Sequence, residues 1–92
     1  MTKDEFREIV VSIAKKLKIE NHLGARNFRK DPSISENAFK FTTKVLSLSF
    51  IQKLQSEKKV KNVFFNASFS PPGGSMDSIS MRYKVYVEFI ST

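Results

Sequence analysis

Apolar residues recur at helical spacing over the first twenty positions and at a spacing of two from Ala38 onward. A chain that changes period in this way has to put a helix against a sheet, because each element buries only the side its period defines. Phe6, Ile9, Val10, Ile13 and Leu17 make one stripe, with Thr2 and Glu5 at the spacing of a capping box ahead of it. Asp4 and Glu5 at the start and Lys15, Lys16 and Lys18 at the end complement the helix dipole, so the helix is predicted to end near Glu20 or Asn21, before Gly24.

Phe39, Phe41, Thr43 and Val45 then alternate with Lys40, Thr42 and Lys44, the pattern of a half-buried strand. Leu46, Phe50 and Leu54 with Ile51 predict a short second helix over 46–58, and Lys58, Lys59 and Lys61 fall at its C-terminal end. The last third reads as a β-hairpin: Val63, Phe65, Ala67 and Phe69 on one side of its first strand, Met81, Tyr83, Val85, Val87 and Phe89 on the same side of its second. Pro71, Pro72, Gly73 and Gly74 cannot continue either strand and predict a mobile tip. The expected fold is one α+β domain over 1–92, a three-stranded, mainly antiparallel sheet with two helices packed on it, in the order α-β-α-β-β. Residues 20–37 form a long connection, with a short helical turn expected over 25–30.

Charge is distributed unevenly. Residues 15–61 hold twelve Lys and Arg against four acids, whereas 1–14 and 62–92 are close to balanced, so the net +7 comes from the centre of the chain. Such a field attracts polyanions or acidic protein surfaces. Single-stranded nucleic acid is the favoured partner, because the polar side of the expected sheet collects Lys40, Lys44, Arg82 and Lys84 together with Phe64 and Tyr86. Cations can track phosphates while aromatic faces stack on bases. The structural alternative is that a helix or a second subunit covers this side and that Phe64 and Tyr86 are a buried cross-strand pair. A second cluster, Arg26, Arg29 and Lys30 around Phe28, could clamp phosphate or an acidic partner from the long connection, or be a solvated turn anchored by Phe28.

The absence of cysteine excludes disulfides, thiolate chemistry and cysteine-ligated metals. With His22 as the one histidine, no two-histidine metal site can form and no catalytic constellation stands out. No enzyme activity, cofactor or metal is therefore expected. No apolar run approaches a membrane span and no targeting segment is evident, which predicts a cytoplasmic protein with no membrane association, as a monomer or homodimer. The order of elements differs from that of RRM, KH and double-stranded-RNA-binding domains. The expected function is non-catalytic nucleic-acid binding, with a regulatory role. The alternative is a small interaction or inhibitor protein, for example of a phage or other mobile element, docking its basic face on an acidic protein.

Overall fold

A computed structural model describes residues 1–24, 28–70 and 80–90. The fold is α+β: helix α1 (Lys3–Lys16), strand β1 (Arg29–Lys30), strand β2 (Ala38–Thr43), helix α2 (Leu48–Gln55), strand β3 (Val60–Ser70) and strand β4 (Ser80–Phe89), with a 3-10 turn at Glu20–His22. The four strands form one antiparallel sheet in the order β1-β2-β4-β3. The expectation of three strands is corrected by β1, which pairs Arg29 with Lys40 and Lys30 with Phe39, so the last two residues of the helical turn predicted over 25–30 are strand. Two residues are too few to display a period, so the strand is visible only through its partner. Residues 25–27, which include Arg26, and residues 71–79, where the hairpin tip is expected, lie outside the described residues.

Helix α1 starts where the capping box predicts. The Glu5 amide donates to the Thr2 hydroxyl at 3.2 Å and the Thr2 amide donates to the Glu5 carboxylate at 3.3 Å. The helix stops several residues earlier than predicted, at Lys16, because Lys18 takes a left-handed backbone (φ 60°). The Lys18 amide donates to the Lys15 carbonyl at 3.1 Å and the Ile19 amide to the Ala14 carbonyl at 2.9 Å. This crossed pair of bonds is the Schellman closure that usually places glycine where Lys18 stands. Helix α2 is likewise shorter than 46–58: the Phe50 amide donates to the Ser47 hydroxyl at 3.2 Å, fixing the start, and Ser56 ends it. Lys58, Lys59 and Lys61 therefore lie beyond the helix and not in its last turn.

Both helices contribute to one core with one side of the sheet. Phe6, Val10, Ile13 and Ala14 of α1 and Phe50 and Leu54 of α2 are buried with Phe39, Phe41, Val85, Val87 and Phe89. Phe6 is at the centre of an aromatic cluster, stacked on Phe39 (ring centroids 5.0 Å apart) and set edge-on to Phe28 (5.8 Å) and Phe89 (5.9 Å). Phe28 is folded into the core and stacks on Phe41 at 5.5 Å, which pins the long connection to the sheet just ahead of β1.

Phe65 and Ala67, both expected in the core, are not covered. Phe65 has the parity of Val63 and Val85 and so faces the helix side, but it is 52% exposed. Val60 and Val63 of the same strand pack against the core and Phe65 does not join them, so the cover provided by the helices ends between 63 and 65.

Candidate nucleic-acid interface

The side of the sheet opposite the helices is set by strand register. Arg29 pairs with Lys40, Lys40 with Tyr86, and Tyr86 with Phe64. Directly paired residues project to the same face. Arg29, Lys40, Tyr86 and Phe64 therefore form one row running across all four strands, about 14 Å from end to end at ~4.8 Å per strand. The next row is Thr42, Lys84 and Asn66, and the row on the other side carries Glu88 and Asn62. Phe64 is 47% exposed and Tyr86 is half-buried, so both rings are accessible on a face that neither helix covers.

Two open hollows flank Tyr86. One, of about 180 Å³, is lined by Arg29, Lys40, Thr42 and Lys84 with Tyr86. The other, of about 410 Å³, is bounded by Asp31, Ser33 and Ile34 on one side and by Phe64, Asn66 and Tyr86 on the other. The 31–34 turn thus rises over one end of the face and makes it a trough. At the far end Lys44 and Arg82 line a third hollow of about 240 Å³ with His22 and Thr42. Lys40, Lys44, Phe64, Arg82, Lys84, Tyr86 and Arg29 are consequently brought to one side of the molecule or its rim. Lys30 is not: it pairs with Phe39, a core residue, and so has the opposite parity to Arg29. The basic cluster of the connection is divided by its own strand, which puts Arg29 on the face and Lys30 at the helix side.

Lys40 has an intramolecular partner. Its ammonium is 3.8 Å from the Asp31 carboxylate, whose other oxygen accepts from the Ser33 amide at 3.2 Å and from the Ser33 hydroxyl. These contacts, the Ser33 hydroxyl first, outweigh partial burial and hold the Asp31 carboxyl below its usual range. Glu88 is also held low, chiefly by the Asn62 side-chain amide, which donates to it at 2.9 Å. A carboxyl whose pKa is lowered by folding stabilises the fold above the unfolded value and loses that contribution as pH falls through the folded one. Replacing Asp31→Asn is expected to lower stability at pH 7 and to lose that effect in acid, below about pH 4. Urea titrations of both proteins at neutral and acid pH give the check; a deficit unchanged across that range would mean that the carboxylate's charge contributes nothing.

Among the described residues no group of three His, Asp or Glu side chains is placed to hold a metal ion, and no helix is long and apolar enough to cross a membrane. His22 is exposed and serves through its backbone: its carbonyl accepts from the Lys44 amide at 2.8 Å, tying the 3-10 turn to the end of β2. Comparison with protein families, with curated proteins and with solved structures found no match.

Proposed function

We propose that this protein binds single-stranded nucleic acid on the open face of its sheet, without catalysis. The supporting observation is the transverse row of Arg29, Lys40, Tyr86 and Phe64, in which two cations and two aromatic rings occupy successive strands of a face that neither helix covers. A single strand needs both elements: fixed positive charge for its phosphates, and flat apolar surfaces for bases that have no pairing partner to stack against. Lys84 lies in the next row and Arg82, beside Lys44, in the one beyond, so cations continue along β4 from Tyr86 as well as on β1 and β2. A duplex, with its bases already stacked inside, gains only the electrostatic part.

The functional test is fluorescence anisotropy with short single-stranded RNA and DNA of mixed sequence, titrated with salt. The binding constant is expected to fall linearly with salt on logarithmic axes, with a slope of about −0.7 per phosphate contact. Lys84→Gln and Arg82→Gln should each weaken binding on every sequence and make the slope shallower by about 0.7. Absence of binding to either single strand at low salt would overturn the reading and leave an acidic protein surface as the partner for this charge.

A further inference from the structure

The two edges of the sheet are built in opposite ways. The β1 edge is two residues long and carries Arg29 and Lys30, the short, charged design that prevents further strands from adding. The β3 edge is eleven residues long. Its stretch Asn62, Val63, Phe64, Phe65, Asn66 and Ala67 has no charge and no proline, in a chain whose net charge is +7.

Strand register also shows which of its peptide groups are open. The Asp31 amide donates to the Ala38 carbonyl and the Gly24 amide to the Thr42 carbonyl, so the even positions of β2 turn toward β1. Peptide groups alternate sides along a strand. Phe39 and Phe41 therefore turn toward β4 and engage Val87 and Val85, which leaves Lys84, Tyr86 and Glu88 turned toward β3. Their partners Asn66, Phe64 and Asn62 point inward to β4. The N–H and C=O groups of Val63, Phe65 and Ala67 point outward, and among the described residues none of them has a hydrogen-bond partner.

We infer that β3 pairs antiparallel with β3 of a second copy of this chain, joining the two sheets into one. The stretch is close to a chemical palindrome about Phe64. An antiparallel pairing centred there sets Phe64 against its own counterpart, Asn62 against Asn66, Val63 against Phe65 and Lys61 against Ala67. The register also satisfies the backbone: Val63 and Phe65, whose peptide groups are open, become the hydrogen-bonded pair, and Phe64 falls on the two-fold axis as the non-hydrogen-bonded pair, where side chains are closest. The contact covers the edge-facing sides of Phe64 and Phe65, both about half exposed in the single chain, and leaves the Phe64 ring face on the open side of the sheet. The uncharged stretch from Asn62 to Ala67 lets two strongly basic molecules meet with the cations of the row set back from the contact, Lys40 by about 10 Å and Arg29 by about 14 Å. The transverse row is then repeated through the axis, with the two Phe64 rings at its centre and the two Arg29 side chains at its ends.

The test uses the full chain without nucleic acid. Sedimentation equilibrium is expected to show a dimer that tightens with added salt, because screening relieves repulsion between two basic copies. Phe65→Pro removes an outward N–H without touching the β3–β4 ladder, and is expected to weaken the dimer at least about tenfold with the circular dichroism of the fold retained. The register is read independently by cysteine, which the chain lacks. Under mild oxidation Phe64→Cys should cross-link, its Cα atoms lying about 4.5 Å apart across the axis, whereas Asn66→Cys, offset along both strands by about 13 Å, should not. Amide exchange on the unmodified chain should show Val63, Phe65 and Ala67 protected in step with dimer formation. A chain that stays monomeric at about 100 μM in high salt, or a dimer in which these three amides exchange freely or Asn66→Cys cross-links faster than Phe64→Cys, overturns the inference.

Discussion

Truncating Phe6 to Ala is expected to remove about 3–5 kcal/mol of stability, the largest loss from any single side chain of α1. Phe6 is fully buried and its ring is within 6 Å, centroid to centroid, of Phe28, Phe39, Phe41 and Phe89. Its removal would leave a cavity lined by rings that belong to β2, β4 and the long connection, and rings anchored on paired strands cannot easily close in. Against a total stability of about 5–15 kcal/mol for a domain this small, such a loss brings the chain near its folding threshold. Val11, half-buried at the rim of the core, is the comparison: Val11→Ala gives up roughly two methylene equivalents already part-exposed, about 1 kcal/mol. Urea denaturation of both variants decides it. Equal losses would mean that α1 packs on a different side from the one described.

The same cluster shows why some of this fold can be read in the sequence and some cannot. The capping box at Thr2 and Glu5, the stripe of Phe6, Val10 and Ile13, and the alternation of Val85, Val87 and Phe89 are local patterns, and each lands on the element its spacing predicts. What escapes is set by neighbours. Strand β1 exists because Phe28 is drawn into the core and brings Arg29 alongside Lys40, a contact that no window along the chain contains. Phe65 has core parity and is exposed because the helices end their cover at Val63, and alternation reports side without reporting cover. Lys18 ends α1 early in a conformation that glycine would have signalled and lysine conceals. For the candidate site, parity alone places Lys40, Lys84, Phe64 and Tyr86 on one face, but the addition of Arg29 to their row, the loss of Lys30 from it and the engagement of Lys40 by Asp31 all depend on strand pairing.

Replacing Tyr86 by Ala is expected to weaken single-strand binding by about 1–3 kcal/mol while leaving the salt slope nearly unchanged, the opposite signature to loss of a cation. Tyr86 is the better probe of stacking than Phe64, for a reason that lies in the topology. Phe64 is on the edge strand, where its removal would also disturb pairing between two copies, whereas β4 lies inside the sheet between β2 and β3 and Tyr86 has neighbours on both sides. Tyr86→Phe keeps the ring and should bind within about twofold of the parent, since stacking uses the π-face and not the hydroxyl. Tyr86→Ala must be shown by circular dichroism and urea titration to stay folded, because the ring is half-buried and its loss also removes a cross-strand pair with Phe64. A folded Tyr86→Ala protein that binds as tightly as the parent, while Lys84→Gln still lowers the slope, would sink base stacking and reduce the face to an electrostatic surface. Equal weakening by Tyr86→Phe and Tyr86→Ala would transfer the contact from the ring to the hydroxyl, and with it the mode of recognition from stacking to hydrogen bonding.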